Sequence, residues 1–365
     1  MRIIAHLDMD AFFASLEEAG SSIFKGKPIA VGADPNSPAG EGTGRGVVST
    51  ANYKAREYGI HSALPISVAW QLSQKARAEG KPEVIFLPVD FERYNKASEQ
   101  VFQIIKKYVE VVEPASIDEF YFDLSFVDNY KKAENICKKI KNEIKEKIEV
   151  TCSIGIGSNK LISKIAAGTK KPNGLVVVKE KDSELFLEPL SIKELPGVGP
   201  KTEQVLNQKG IKIVKDLKKL SSQQLKENFG KWGEGIYLKA RGIDDSPLVE
   251  NREAKSIGEQ VTFPQDTLDF IYVGDVFGNL CKNVFKRFLQ SNFKTFKTIA
   301  ITVRFSGFET KTTAKTLKEP VSGEKEFTIE ALKLLLPYLD RRKNPRLKLI
   351  RLVGIKIEKF QQKIL

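Results

Sequence analysis

Pro114-Ala115-Ser116-Ile117-Asp118-Glu119-Phe120-Tyr121-Phe122-Asp123 sets two adjacent carboxylates at a turn and follows them with an aromatic run of strand character. A matching stretch stands near the start of the chain, Ile3-Ile4-Ala5-His6-Leu7-Asp8-Met9-Asp10, an apolar strand whose C-terminal end presents acids. If these two strands pair, Asp8, Asp118 and Glu119 gather around one point. Taken singly, Asp118-Glu119 also fits a solvated turn, and Asp8 a helix N-cap. Groups farther along the chain favour the shared centre.

The 365 residues suffice for roughly two to four domains. Hydrophobic residues make up 41% and charged residues 29%, ordinary for a globular chain, but the net charge of +13 and pI near 9.3 are not. Such charge implies a polyanionic partner, nucleic acid first and a membrane surface second. The charge is uneven: from Lys255 on, 21 Lys and Arg stand against 11 Asp and Glu. No apolar run approaches a membrane span, and the start runs straight into a strand without a signal-peptide pattern, so a cytoplasmic location is expected. Cys137, Cys152 and Cys281 lack metal-ligand spacing and read as buried thiols in a reducing compartment. With His6 and His61 the only histidines, a histidine-based mechanism is disfavoured.

In chain order, Ala11–Glu18 reads as a short helix, Lys27–Gly32 as a strand, Asp34–Gly46 as a mobile Gly- and Pro-rich loop, and Gly46–Thr50 as a strand. Ala51–Gly59 reads as a helix stopped by Gly59, with Tyr53 and Arg56 on one face. Helices follow over Ile66–Lys75, Phe91–Tyr108, Asn129–Ile148 and Leu161–Thr169, with strands at Glu83–Leu87, Val150–Ile156 and Leu175–Val178. This order implies an α+β sheet layer covered by helices. Around Ser191 the texture changes to short helices, with Ile192–Thr202 read as helix, glycine hairpin and helix. Gly242–Ala254 reads as a polar linker. Beyond Lys255 the chain is strand-rich, with Ile299, Ile301, Val303 and Phe305 alternating at period two and helical segments over Val273–Leu289 and Ile329–Leu339.

Three acids without a histidine base point to hard-cation chemistry, Mg²⁺ or Mn²⁺, of the kind that transfers phosphoryl groups with two metals. Arg56 offers a planar fork to a phosphate, Lys171 a point charge, and Tyr53 and Thr50 hydroxyl donors. Leu195-Pro196-Gly197-Val198-Gly199-Pro200-Lys201 resembles a helix-hairpin-helix, whose amides and Lys201 would meet a DNA phosphate without reading sequence.

These pieces in this order resemble the Y-family, DinB-type DNA polymerases over essentially the whole chain. The resemblance rests on Asp8–Ala14, Ser49–Arg56, Ser116–Glu119, Gly155–Leu161, Lys171–Gly174, Leu195–Gly199 and Lys255–Gly258. It implies a multidomain α+β right hand: a palm of antiparallel or mixed sheet plus helices (residues 1–19 and 82–186), small fingers (20–81), a helical thumb (187–241), a linker (242–254) and an α/β little finger (255–365). It implies low-fidelity, template-directed addition of deoxynucleotides, with tolerance of damaged templates. Asp8, Asp118 and Glu119 would hold two Mg²⁺ ions (Mn²⁺ substituting), with the Met9 carbonyl as a further ligand. Asp10 matches a family acid that is not usually a ligand. Phe13 takes the sugar-gate position, Thr50, Tyr53, Arg56 and Lys171 the triphosphate, and Val47 and Ser49 the nascent base pair. Gly197, Gly199, Lys201, Lys255, Arg341 and Arg342 are expected at DNA. The expected partners are primer–template DNA and deoxynucleoside triphosphates, met by a monomer.

The chain departs from the family pattern in two places. The loop Asp34–Gly46, beside the fingers, is longer and more Gly-rich than in many relatives, and Phe13 replaces a tyrosine that some carry. The tail Gln361-Gln362-Lys363-Ile364-Leu365 loosely resembles a sliding-clamp peptide. A polymerase-like scaffold without catalysis predicts damaged acids, which the sequence lacks. A cyclase on a palm-like sheet leaves the glycine hairpin and the basic C-terminal region without a role.

Overall fold

A computed structural model describes residues 1–38 and 40–362. The chain divides into two compact units, Met1–Asp34 with Val47–Asn251, and Pro35–Gly46 with the chain from Arg252 on. No helix among the described residues is long and apolar enough to cross a membrane.

The strands of the first unit are β1 (Ile4–Met9), β2 (Ile29–Gly32), β3 (Val48–Ala51), β4 (Ile85–Leu87), β5 (Val112–Pro114), β6 (Glu119–Asp123), β7 (Cys152–Gly157) and β8 (Leu175–Val177). They form a sheet of order β5-β6-β1-β7-β8 and a smaller one of order β3-β2-β4. β1 lies at the centre of the larger sheet, antiparallel to both β6 and β7. Strand side chains alternate between faces. Ala5, Leu7 and Met9 therefore join Phe120, Phe122, Ile154 and Ile156 in the core, under helices Phe91–Lys106 and Tyr130–Ile148. The other face carries His6 and Asp8 opposite Tyr121 and Glu119. The core stripe of helix Tyr130–Ile148 runs through Tyr130, Ala133, Cys137, Ile140, Ile144 and Ile148. Steps of three and four residues keep those side chains on one side of the helix, and the lysines between them face water.

Helix Lys160–Thr169 lies against β7, and glycine makes the approach possible. A Cβ on Gly155 would stand 2.1 Å from the Ser163 carbonyl oxygen. The expected helix over Ala51–Gly59 shrinks to Tyr53–Arg56. Ala51 is held in β3 opposite Ala30, and Asn52 caps the helix, its Oδ1 accepting from both Ala55 N and Ile29 N at 3.0 Å. The N-cap position of helix Phe12–Gly20 is Ala11, in the left-handed region, so Asp8 is no cap. In the glycine-hairpin region the first expected helix is a single 3-10 turn, Ile192–Glu194, followed by helices Pro200–Gln208, Val214–Leu217, Ser222–Phe229 and Lys231–Lys239 around Leu195, Leu206, Leu217, Leu225 and Ile236.

Half of the expected linker is tied to the first unit. Asn159 Nδ2 donates to the Gly242 carbonyl at 2.7 Å, Leu161 N to Asp244 Oδ2 at 3.0 Å, and Val249 N to buried Glu113 at 3.0 Å.

The second unit holds β9 (Ser256–Thr267), β10 (Phe293–Phe305), β11 (Thr310–Val321) and β12 (Ile350–Gln362), an antiparallel sheet of order β11-β10-β12-β9. Helices Phe270–Leu289 and Glu324–Leu335 pack on it through Phe277, Phe288 and Phe327, against Ile299, Ile301 and Val303 as the alternation predicts. The segment read as a mobile loop beside the fingers groups with this unit instead. Arg45 Nη1 donates to Asp266 Oδ1 at 2.5 Å and to the Phe263 carbonyl at 3.0 Å, so a buried-edge ion pair fixes its end. Gln361 and Gln362 of the tail pair with Thr295 and Phe293 as the end of β12. Lys363, Ile364 and Leu365 lie outside the described residues.

Candidate active site

The register of β1 against β6 sets Asp8 directly opposite Glu119, and that of β1 against β7 sets Asp8 opposite Ser153. Asp118 precedes Glu119, and its carbonyl accepts the Met9 N–H at 3.0 Å, which locks the acid turn to the end of β1. Ser116 shapes that turn. Its Oγ accepts from Glu119 N at 3.1 Å and donates to Asp118 Oδ1 at 2.6 Å.

Each carboxylate has its own partner. Asp8 forms an ion pair with Lys171. Burial, with help from Glu119 and Asp118, raises the Asp8 carboxyl to about 6 in spite of the lysine. Both oxygens of Glu119 accept from Lys164 Nζ, at 2.5 and 2.7 Å. Burial pushes Glu119 up, but its neighbours outweigh it and hold the carboxyl below its usual value. Lys164 is the stronger influence. His6 is fully buried, burial lowers its own pKa, and its Nε2 stands 3.8 Å from Glu119, beyond hydrogen-bond reach. The imidazole is therefore neutral, stacked obliquely on Tyr121 at 4.5 Å.

The three acids lie at one end of the β1–β6 ladder, Asp8 opposite Glu119 and Asp118 beside it, with their side chains turned to separate partners. Among the described residues no three Asp, Glu, His or Cys side chains gather closely enough to hold a metal. The donor set still fits a hard divalent cation. It is all oxygen, two of the acids face each other across one ladder, and burial has made the Asp8 carboxylate costly enough to gain from added positive charge.

Tyr53 and Arg56 share a side of their short helix, the guanidinium 4.7 Å over the ring. Arg56 Nε donates to the Ala51 carbonyl at 2.9 Å. Tyr53 Oη is buried without a hydrogen-bond partner among the described residues, a donor with no acceptor. Burial, then the charge of Asp10, raises that hydroxyl to about 12, so it stays a donor. Lys171 opens the turn to Gly174, whose own Cβ would sit 2.2 Å from the Lys170 carbonyl oxygen. The structure thus brings Asp8, Asp118, Glu119 and Lys171 together, with Tyr53 within electrostatic reach of Asp8. Thr50 pairs with Val31 on β3, half-buried, as is Ser49, and Val47 is 47% exposed. Phe13 stacks on Tyr94 with centroids 4.2 Å apart.

The residues expected at DNA lie elsewhere. Gly197 has φ +98, where a side chain would be strained, and Gly199 is the N-cap of helix Pro200–Gln208. Lys201, Lys255, Arg341 and Arg342 are exposed. Arg342 is not simply available: its Nε donates to both oxygens of Asp340, at 3.0 and 2.9 Å.

His6 and Lys164 belong to the site although no sequence motif singles them out. Period two puts His6 on the Asp8 face of β1. Lys164 follows Lys160 by one helical turn and so shares its face, and the pairing of Lys160 with buried Glu113 at 2.6 Å shows that this face meets the sheet.

The impB/mucB/samB family model matches residues 7–168, its C-terminal domain model residues 254–364, and a model described as DNA polymerase-iota, thumb domain, residues 193–244. DNA polymerase IV 2 of Methanosarcina mazei is 40% identical over 363 residues, covering 99% of this chain and 93% of its own. DNA polymerase IV of Leptospira interrogans serogroup Icterohaemorrhagiae serovar Lai is 38% identical, covering 98% and 95%. Among solved structures, the Y-family DNA polymerase chimera Dbh-Dpo4(243-245)-Dbh is similar with TM-score 0.86 and 27% identity, over 99% of this chain and 100% of that one. An insertion ternary complex of Dbh DNA polymerase is similar with TM-score 0.66, also at 27% identity and over 99% and 100%. Matches of this length on three models and on whole relatives leave one assignment: the chain belongs to the impB/mucB/samB family of Y-family DNA polymerases.

Proposed function

We propose that the ladder end formed by Asp8, Asp118 and Glu119 is the reaction centre of a template-directed DNA polymerase of low fidelity that copies damaged templates. The observation that carries this reading is the pairing of Asp8 with Glu119 beside Lys171 and the partnerless Tyr53 hydroxyl. Acids and phosphate donors then share one corner of the sheet.

Asp8, Asp118 and Glu119 would hold divalent metal, two Mg²⁺ ions with the Met9 carbonyl assisting. Metal held there would acidify the primer 3′-hydroxyl that attacks the α-phosphorus and would offset the charge on the pyrophosphate that leaves. The chain's own residues bind and orient. Lys171, Arg56 and the Tyr53 and Thr50 hydroxyls take the triphosphate oxygens, each a cation or donor for negative charge. Lys171 is held by Asp8 until a phosphate competes for it. Phe13, braced from behind by Tyr94, lies under the sugar and excludes a ribose 2′-hydroxyl. Small Ser49 and exposed Val47 leave the nascent base pair loosely checked, which suits an altered template base.

In this reading residues 1–19 and 82–186 are the palm, 20–81 the fingers, 187–241 the thumb and 255–365 the little finger. Gly197, Gly199 and Lys201 hold one phosphate backbone at a helix N-terminus, and Lys255, Arg341 and Arg342 add charge, so binding is salt-sensitive and nearly independent of sequence. The test is extension of a labelled primer by the purified chain with Mg²⁺ and each deoxynucleotide in turn. Addition of the nucleotide complementary to the template base is expected. No addition under any of the four, with DNA bound, contradicts the reading.

A further inference from the structure

Asp10 lies just past β1, 1% exposed, and none of the roles above uses it. A buried carboxylate is costly unless donors meet it. Three do. Thr151 Oγ1 donates to its Oδ2 at 2.8 Å, Ser153 Oγ to its Oδ1 at 2.8 Å, and the backbone N–H of Asn173 to its Oδ2 at 2.7 Å. Ser153 Oγ passes the hold onward by accepting the Gly174 N–H at 3.1 Å. From the other side Lys141 Nζ donates to the Gly174 carbonyl at 2.9 Å, and also to the Cys152 carbonyl.

The Asn173 N–H is thereby held by Asp10, the Gly174 N–H by Ser153 of β7, and the Gly174 carbonyl by Lys141 of helix Tyr130–Ile148. The turn holds Asn173 at φ +56, in the left-handed region that asparagine enters more readily than most residues. Its first residue is Lys171, whose ammonium pairs with Asp8. Asp8 and Asp10, two apart on the same run of chain, thus hold the two ends of one four-residue turn.

We propose that Asp10 is a positioning residue for the incoming nucleotide: through Asn173 N–H directly, and Gly174 N–H by way of Ser153, it fixes the 171–174 turn and so the Lys171 ammonium at the reaction centre. This rests on the reading of Lys171 as a triphosphate ligand. An acceptor-only group suits the place, since three donors converge on it and an amide would present N–H to one of them.

The experiment compares wild type, D10N, S153A, K171A and D10N/K171A in single-nucleotide insertion on a fixed primer–template, together with amide hydrogen exchange of the chain without nucleotide or metal. D10N is expected to raise the nucleotide KM by roughly tenfold, the worth of a charge-assisted hydrogen bond, with a smaller effect on kcat and unchanged DNA affinity. S153A is expected to shift KM the same way, and decides the matter should D10N fail to fold. In the K171A background D10N is expected to add nothing further, because the group it positions is gone. Asn173 and Gly174 amides are expected to exchange faster in D10N while the β1–β7 ladder keeps its protection. Effects of D10N and K171A on KM that multiply, or unchanged exchange at Asn173 and Gly174, overturn the proposal. A wild type that adds no nucleotide removes the polymerase reading instead, and the exchange comparison still decides whether Asp10 fixes the turn.

Discussion

The rings of Phe13 and Tyr94 lie flat on each other, centroids 4.2 Å apart and planes 10° apart, and Tyr94 is itself pinned by donating to Glu17 Oε1 at 2.8 Å. Glu17 also receives Arg93 Nη1 at 2.9 Å, so helix Phe91–Lys106 grips helix Phe12–Gly20 at the level of the proposed gate. A fixed ring excludes a hydroxyl better than a mobile one. Phe13→Ala is expected to admit ribonucleotides. Tyr94→Leu is expected to loosen discrimination by up to about tenfold, the scale of an aromatic pair. In Phe13→Ala the added Tyr94→Leu should change nothing. Ribonucleotide-to-deoxynucleotide insertion ratios measure all three, and undiminished discrimination in Phe13→Ala removes it from the gate.

Lys164 neutralises Glu119 through both oxygens. Lys164→Ala leaves a largely buried carboxylate without its partner, at a cost of about 1–3 kcal/mol. A divalent cation can replace the missing charge, and whatever binds the folded state stabilises it. The Tm of Lys164→Ala should therefore lie below wild type in chelator and rise more than wild type when Mg²⁺ is added. Equal Mg²⁺ responses would argue that Glu119 is no ligand.

Gly155→Ala pushes a methyl group onto the Ser163 carbonyl, which is backbone and cannot swing aside. Helix Lys160–Thr169 must back away from β7. The expected destabilisation is about 1–3 kcal/mol by denaturant titration, as for other overpacked sites. Gly168→Ala, where the added methyl meets nothing within 4 Å, is the control on the same helix.

Glu143 joins two helices by accepting from Lys107 Nζ at 2.5 Å, Lys147 Nζ at 2.7 Å and Tyr108 Oη at 2.9 Å. Lys107, then Lys147 and Tyr108, lower its carboxyl from 4.5 to about 2. A depressed carboxyl lends stability that is complete above its unfolded value and is lost as the pH falls through the folded one. Acid titration of unfolding should show a Glu143 contribution fading from about pH 4.5 towards 2, and Glu143→Gln should flatten that limb while leaving neutral-pH slopes alone.

The sheet and its acid corner were legible because they are written locally. Alternation in Ile4–Asp8 and the aromatic run after Glu119 define two strands, and their acid ends fix the register. The same two-residue period puts His6 on the Asp8 face of β1, while the close approach at Gly155 shows only once helix Lys160–Thr169 packs on the strand. Other features depend on partners far away in sequence. Nothing near Asp10 names Thr151 or Asn173, nothing in Asp34–Gly46 names Asp266, and Lys164 shows its importance only once Glu119 stands opposite. The over-long helix at Ala51 was a propensity reading that strand pairing to Ala30 overrode.

The most direct test of the central claim measures primer extension and duplex binding on the same preparations of Asp118→Ala and Glu119→Ala. Nucleotide addition should vanish in both while the DNA dissociation constant stays near that of wild type. Near-normal extension by either variant would show that the carboxylates at the end of β1 and β6 are not the reaction centre.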